Sequence, residues 1–474
     1  MQYTVTFQPQ GISVLVDGGS DLLQAQIRAG LRPDAPCGGK GTCGKCRVLL
    51  EGQEVLACRT PVNRCMTVYL RQEEPAKILT SGIQTSVQPD GTDDYVLAFD
   101  VGTTTVVAYL LDGHSGAQLA QAGCRNPQGQ FGADVISRIR YALQEGIAPV
   151  SGCIREAMKN LTKSLAREAG ISPEQITASA IVGNTAMHHL LLEIDPKPLV
   201  TPPYMPAVRE ALEYKGTRIL PNIAGFVGGD TVGCMVATRF DRLEEMSLLL
   251  DIGTNGEMVL GNRDRRIACS TAAGPAFEGA KISCGMGGAA GAVDHVRLEN
   301  GKLVYHTIGD AAPRGLCGSG LLDLVAALLD LEIIEGTGRM KEKQYILCDG
   351  VTLTRKDVRE VQLAKAAIRA GMELLCEEMG IRVEEIRRVY LAGAFGNYLE
   401  PASACRIGMI PPVLQDRIVP IGNAAGVGAK LCALSREEFL YSQRLAAGTE
   451  FLELAGLLRF QKRYIEALDF AEKE

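Results

Sequence analysis

The chain predicts a multidomain protein of mixed α+β and α/β class. A small N-terminal domain covers residues 1–78, a polar linker 79–94, and a larger unit of two related lobes 95–245 and 246–474. Three observations carry this reading. Short alternating strands flank a loop dense in cysteine and glycine, a stretch without periodicity follows, and one strand-turn-strand pattern then occurs twice, 151 positions apart. A length of 474 residues suits about three domains. With 46% hydrophobic residues, 22% charged residues and a net charge of −6, neither a disordered acidic chain nor a basic nucleic-acid binder is indicated. No stretch approaches 18 uninterrupted apolar residues, and MQYTVTFQPQG has neither a basic nor an apolar leader region. A cytoplasmic protein with no nucleic-acid and no membrane partner is the expectation.

Tyr3, Val5 and Phe7 alternate, as do Ile12, Val14 and Val16 after a Pro-Gly turn, which predicts an antiparallel hairpin with one buried face. A helix should follow, capped by Ser20, with Leu23 and Ile27 on one face and Gly30 as its left-handed stop. Of the 15 cysteines, an odd number for a disulfide framework, Cys37, Cys43, Cys46 and Cys58 fall close together, with Cys65 just beyond. The other ten are scattered through apolar or glycine-rich contexts and read as buried thiols.

Four thiolates suit iron, and a loop wrapping a cluster must turn tightly without side chains in the way, which accounts for Gly38, Gly39, Gly41 and Gly44. A structural zinc usually pairs two Cys-x2-Cys knuckles, and only one is present here. The same loop imitates a dinucleotide fingerprint and, with Cys46 in place of Ser or Thr, a phosphate-binding loop, but the required strand and helix are missing around it. The segment resembles the β-grasp ferredoxins, which implies a 2Fe-2S cluster on Cys37, Cys43, Cys46 and Cys58.

The stretch 79–94 is polar, rich in turn formers, and reads as a tether. Beyond it, VLAFDVGTTTVVAYLL is matched by LLLDIGTNGEMVL, aligning Asp100 with Asp251, Gly102 with Gly253 and Thr103 with Thr254. Gly183-Asn184-Thr185-Ala186 and Gly422-Asn423-Ala424-Ala425 open two helices dense in small residues, as two helices crossing at a hinge require. A carboxylate, a glycine and hydroxyls on a hairpin tip can seat a hydrated magnesium and wrap phosphates with backbone amides.

These motifs, in this order, resemble the actin, sugar kinase and Hsp70 ATPase superfamily, and so imply a duplicated RNase H-like ATPase that binds ATP and Mg. The resemblance assigns Asp100, Gly102, Thr103, Thr104 and Thr105 to the first phosphate motif, and Asp251, Gly253, Thr254, Asn255 and Gly256 to the second. Gly393, Ala394 and Phe395 fall in the adenosine motif. Asp230, 21 positions before Asp251, suits a base or water-orienting role, the bland alternative being a cap on a helix from Thr231. His188 and His189 read as core residues, and Arg138 and Arg140 as a solvated helix face.

A ferredoxin joined to an ATPase points to ATP-dependent electron transfer. The pairing is similar to the reductive activators of corrinoid proteins, as are Asn126-Pro127-Gln128, Gly274-Pro275-Ala276-Phe277-Glu278-Gly279 and Leu316-Cys317-Gly318-Ser319-Gly320. The resemblance implies that an electron passes from a cellular low-potential donor through the cluster to an inactive Co(II) corrinoid on a partner protein, restoring Co(I), and it implies a homodimer. An activator of another low-potential enzyme and a nucleotide-linked redox sensor are the alternatives.

Overall fold

The computed structural model describes residues 1–31, 33, 35, 38–41, 44–70 and 82–471. In the N-terminal domain β1 (Gln2–Gln8) and β2 (Ile12–Asp17) form the expected hairpin, followed by α1 (Leu22–Arg28), β3 (Arg47–Leu50), β4 (Gln53–Leu56) and β5 (Met66–Leu70). The sheet order is β2-β1-β5-β3-β4, with β1 and β5 parallel at its centre. Val5, Phe7, Val48 and Val68 face α1, whose buried residues are Leu22, Leu23, Ala25 and Gln26. Two local expectations are corrected. Asp21, not Ser20, caps α1 by accepting from the Gln24 N–H, and of the two residues expected on the buried face Leu23 is buried while Ile27 is exposed. Gly30 follows with a φ of +73°.

The first lobe contains β6 (Tyr95–Val101), β7 (Thr105–Asp112), β8 (Gln118–Arg125), α2 (Val135–Glu145), α3 (Ala148–Ala169), β9 (Ile176–Gly183), α4 (Thr185–Leu192), β10 (Leu212–Tyr214), β11 (Thr217–Ile219) and α5 (Gly229–Thr238). The second opens with β12 (Ser247–Ile252), β13 (Gly256–Gly261) and β14 (Arg266–Thr271). A subsidiary layer follows: β15 (Ala292–Glu299), β16 (Lys302–Thr307), β17 (Gly315–Leu316), α6 (Gly318–Asp330), β18 (Gln344–Cys348) and β19 (Val351–Thr354). The lobe then continues through α7 (Arg355–Met379), β20 (Arg388–Ala392), α8 (Gly393–Tyr398), α9 (Pro401–Arg406), β21 (Ile418–Gly422), α10 (Ala424–Leu434), α11 (Arg436–Ala447), β22 (Glu450–Phe451) and α12 (Leu458–Glu466).

The main sheets run β10-β11-β9-β6-β7-β8 and β21-β20-β12-β13-β14-β22. In each, three antiparallel strands carry a parallel neighbour on one side, β9 beside β6 and β20 beside β12, so the repeat seen in the sequence is a repeat of topology. Both faces are covered, which is why these strands are apolar runs rather than alternating ones. Leu97, Phe99 and Leu110 pack against α2 and α3, while Val96, Ala98 and Tyr109 face α5 and α10. Leu249, Val259 and Ala268 of the second sheet join the cluster around α5 and α10, and Leu248, Leu250 and Leu260 pack with α7. Helices α5 and α10 are therefore the shared layer between the lobes.

Their approach is set by glycine. A Cβ on Gly428 would stand 2.2 Å from the Gly233 carbonyl oxygen, and one on Gly233 would stand 2.9 Å from that of Ala425. The small-residue helix at Gly422 thus crosses α5, not the helix at Gly183 that was expected as its partner; α4 packs instead with α2, α3 and β9.

The polar stretch is also corrected. Its residues 79–81 lie outside the described set, but from Gly82 it is bound to the large unit. The Ile83 N–H donates to the Ile421 carbonyl, Thr85 to that of Ala237 and the Asp90 N–H to that of Leu434, while Ile83 and Val87 pack into the shared core. Turn-rich composition read as a free tether because every anchor is long-range.

Gly428→Ala tests the crossing by sign. Alanine for glycine inside a helix ordinarily stabilises by about 1 kcal/mol, whereas here overpacking should destabilise by about 1–3 kcal/mol, read as a lowered thermal midpoint.

Candidate functional site

The parallel pairing of β6 with β9 and of β12 with β20 brings the expected motifs to one edge of each sheet. Asp100 lies opposite Val182, and Asp251 opposite Ala392, one residue before Gly393. Each hairpin turn is closed by its own backbone: the Gly102 N–H donates to the Thr105 carbonyl and the Gly253 N–H to that of Asn255, both at 2.9 Å. Gly393 has a φ of +84°, and a Cβ there would stand 2.8 Å from Asp251 Oδ1. Phe395 stacks on Phe277, with ring centroids 4.9 Å apart and planes 3° from parallel. The side chain of Ala394 lies outside the described set.

Two asparagines that the sequence reading left without a role hold the first hairpin. Asn184 caps α4 by accepting from the Met187 N–H, and its Nδ2 donates to Thr103 Oγ1 at 2.8 Å. Asn423 caps α10 by accepting from the Gly426 N–H, and its Nδ2 donates to Asp100 Oδ2 at 2.8 Å. One amide thus ties helix start to turn in each case, and Asn423 does so from the second lobe. Glu278 accepts from Thr104 Oγ1 at 2.8 Å and from Thr254 Oγ1 at 2.9 Å, bridging the two hairpins. The only sequence signal for these roles was that each residue sits in a segment already singled out.

The cleft is electrostatically loaded. Burial pushes Asp100 up to about 7, against the pull of the Asn423 hydrogen bond. Burial and the charges of Asp230 and Asp100 push Asp251 up to about 7. Asp230 is pushed up to about 6 by burial, opposed by the Thr231 N–H. Glu257, the antiparallel partner of Asp251, is raised well above the ordinary range by burial and by Asp230 and Asp251. The sequence reading missed Glu257, although a lone acid inside an apolar strand was its signal. Asp230 lies in the first turn of α5, which begins at Gly229 rather than Thr231, with Gly228 at the cap position; its Oδ1 accepts only locally, from the Thr231 N–H at 2.8 Å.

Arg138 is not solvated. Its Nε donates to the Gly132 carbonyl at 2.9 Å and the side chain is 2% exposed, pinning the loop after Asn126, while Arg140 is exposed. His188 and His189 are core residues. His189 Nδ1 meets the Thr185 carbonyl at 2.8 Å while Nε2 accepts from the Ala207 N–H, and burial pushes His188 down to about 4.

In the N-terminal loop Cys46 and Cys58 are buried with their sulfurs 3.2 Å apart. Cys37 and Cys43 lie outside the described residues. Gly38, Gly39, Gly41 and Gly44 all have positive φ, and a Cβ on Gly41 would fall 2.0 Å from Arg59 Nε, so the loop curls through left-handed conformations that favour glycine and at Gly41 is also too crowded for a side chain. Two buried, adjacent thiols in such a cradle fit an iron-sulfur group. Cys65 is exposed and accepts from the Thr4 N–H on β1. Of the ten scattered cysteines, six are buried and four half-buried.

Comparison with known proteins covers the same three units. Residues 5–63 match the 2Fe-2S iron-sulfur cluster binding domain, 95–243 the RACo middle region and 245–474 the C-terminal domain of RACo, the ASKHA domain. The chain is 32% identical to the corrinoid activation enzyme RamQ of Eubacterium limosum, across 95% of this chain and 96% of that one. It belongs to the corrinoid-activator family. The fold is accordingly a ferredoxin-type domain followed by an actin, sugar kinase and Hsp70-like unit. The alignment with RamQ runs over 573 positions, more than the 474 residues here, so that activator carries segments with no counterpart in this chain. A [Co(II) methylated amine-specific corrinoid protein] reductase of Methanosarcina barkeri is 34% identical over 48% of this chain and 44% of its own. A solved reductive activator for corrinoid, iron-sulfur protein superposes with a TM-score of 0.72 at 28% identity, covering 99% of this chain and 98% of that one. Among the described residues no helix is long and apolar enough to cross a membrane.

The raised carboxyls of this activator have a testable sign. Below the ordinary carboxyl range Asp251 is neutral folded and unfolded, and its burial costs no charge. As pH rises toward about 7 the unfolded chain ionises first, so stability is lost. Asp251→Asn should therefore raise the thermal midpoint of the nucleotide-free protein at pH 8, by about 2–4 °C for each 1 kcal/mol relieved, and leave it nearly unchanged at pH 4.

Proposed function

We propose that this chain is an ATP-dependent reductive activator of a corrinoid protein. It would deliver one electron to an inactive Co(II) corrinoid on a separate partner and restore Co(I), having drawn that electron from a cellular low-potential donor. The observation that carries this reading is the full-length match to RamQ, a corrinoid activation enzyme, by a chain that joins a buried cysteine loop to a cleft of paired phosphate hairpins. A 2Fe-2S cluster would supply a one-electron carrier, and ATP with magnesium the driving free energy.

Four thiols, Cys37, Cys43, Cys46 and Cys58, would hold the cluster, and the glycines between them would leave backbone amides facing its sulfurs. In the cleft Asp100 and Asp251 would hold the magnesium, whose charge would offset the desolvation and the carboxylate repulsion that raise them. Gly102, Thr103, Thr104, Thr105, Gly253, Thr254, Asn255 and Gly256 would receive phosphates through backbone amides and hydroxyls. Gly393, Ala394 and Phe395 would border the adenosine. Asp230, pushed up to about 6, would orient the attacking water and take its proton.

Nucleotide is needed for an energetic reason. Raising one electron costs about 2.3 kcal/mol per 100 mV, and plant-type centres lie near roughly −400 mV, so an acceptor well below that fills only when another free-energy change biases the complex. Binding and hydrolysis supply the bias if the two nucleotide states favour different arrangements of activator and partner.

Anaerobically purified protein should contain about two iron atoms per chain with the visible and reduced-state EPR spectra of a 2Fe-2S centre; since a four-iron cluster shared between two subunits would give the same ratio, a four-iron spectrum is the result that would reject this assignment. Cys46→Ser and Cys58→Ser should lose the visible absorption and the reduced-state EPR signal, and Cys65→Ser should keep both. The decisive assay is cobalt reduction. With candidate corrinoid proteins, loss of Co(II) should require both cluster and hydrolysable ATP, and equal rates with and without ATP would reject the reading. Asp230→Asn should lower ATP turnover by about 10²–10⁴-fold while ADP binding is retained.

A further inference from the structure

The segment Pro275 to Met286 has two partners that neither the electron carrier nor the phosphate hairpins account for. At one end Glu278 spans the cleft, accepting from Thr104 of the first hairpin and Thr254 of the second. From the other side Lys45, which stands next to Cys46 in the cysteine loop, reaches over from the N-terminal domain. Its ammonium donates to the Gly279 carbonyl at 2.9 Å and to the Gly285 carbonyl at 3.1 Å.

The segment is a tightly turned unit. Glu278 and Ala280 both donate their N–H groups to the Pro275 carbonyl, and the Gly285 N–H donates to that of Ile282. A Cβ on Gly279 would stand 2.6 Å from the Met286 carbonyl oxygen, and one on Gly285 2.2 Å from that of Gly279. Its back is fixed where the Ser283 N–H donates to Asp357 at the start of α7. Between Glu278 and the carbonyls that hold Lys45 there is almost no slack.

A carboxylate that occupies two hydroxyls of the phosphate hairpins meets an incoming phosphate as a like charge and as a competitor for the same donors. Both cannot be accommodated together. We propose that Glu278 is a positioning residue displaced by the nucleotide phosphates, and that its displacement moves the Gly279–Gly285 carbonyls and releases Lys45, uncoupling the cysteine loop from the ATPase when ATP binds. The inference rests on the ATP-site reading above and adds the route by which an occupied cleft is felt at the cluster. It also explains how an N-terminal domain docked beside the cleft is freed to approach a partner's cobalt only in the nucleotide-bound state.

The test uses the full chain with its cluster and a non-hydrolysable ATP analogue, AMP-PNP, with magnesium. Affinity is measured by calorimetry, and amide hydrogen exchange is followed in peptides covering 275–286 and 45–50. In the wild type AMP-PNP should speed exchange in both peptides. Glu278→Ala should show that faster exchange before nucleotide is added and should bind AMP-PNP about tenfold more tightly. Glu278→Gln, which keeps the shape and removes the charge, should fall between the two and guards against misfolding of the alanine variant. Lys45→Met should tighten AMP-PNP binding in the wild type but not in Glu278→Ala, because linked states bias each other reciprocally. If AMP-PNP binds and exchange in the 45–50 peptide does not change, or if Lys45→Met has the same effect in both backgrounds, the latch is overturned and the ATP site stands. If AMP-PNP does not bind the wild type, the ATP-site reading falls and the latch with it.

Discussion

Four carboxyl groups gathered in one cleft are the constraint around which this molecule is organised. Asp100 comes from the first lobe, Asp251 and Glu257 from the second, and Asp230 from the helix between them; burial raises all four, and the charge of neighbouring carboxylates adds to this at Asp100, Asp251 and Glu257. Left alone, such a cluster drives the lobes apart or holds protons against neutral pH. What holds the lobes together is apolar: α5 and α10 meet backbone to backbone at Gly233 and Gly428, inside a cluster that draws side chains from both sheets. The lobes are thus joined by packing while charge is crowded between them, a tension that the proposed magnesium and phosphates would relieve.

The same packing explains how one lobe informs the other. Asn423 begins α10, on the second lobe's side of the shared layer, yet its amide donates to Asp100 on the first lobe's hairpin and to the Tyr109 hydroxyl behind it. Movement of α10 along α5 would therefore pull on the first hairpin through Asp100. Residues 82–94 lie along this layer as well, hydrogen-bonded to β21 and to the end of α10, so the chain leaving the N-terminal domain is fastened to the elements that would move. In an electron-transfer activator this matters, because the described part of the connecting chain, from Gly82, is anchored on the same helices that join the two lobes.

How much of the site was legible depended on whether a residue acts locally. Asp100, Asp251, Gly102 and Gly253 could be singled out because a strand-turn-strand with a carboxylate at the strand end is a contiguous pattern that repeats 151 positions later, and Gly393 because a glycine-rich turn ends a buried strand. Cys46 and Cys58 were legible by spacing. Glu278, Asn184 and Asn423 were in view without a function, since what each does depends on a partner that only folding brings near; Glu278 meets Thr104 across 174 positions and Asn423 meets Asp100 across 323. Arg138 misled for the same reason, since a charged residue on an amphipathic helix is usually solvated and its burial depends on the Gly132 loop closing over it.

By itself the sequence determined the order of the units, the antiparallel hairpins, the duplicated lobe and the chemical types present at each turn, because periodicity, glycine placement and cysteine spacing act through the nearest few residues. Tertiary structure decided which helices cross, that the polar stretch is bound rather than free, and that Asp21 rather than Ser20 caps the first helix. It also decided that four acids share one cleft and that Lys45 reaches the segment carrying Glu278. Each of these turns on distance between residues far apart in the chain or on a difference of a single residue in register. Composition is blind to the first and propensity is nearly indifferent to the second.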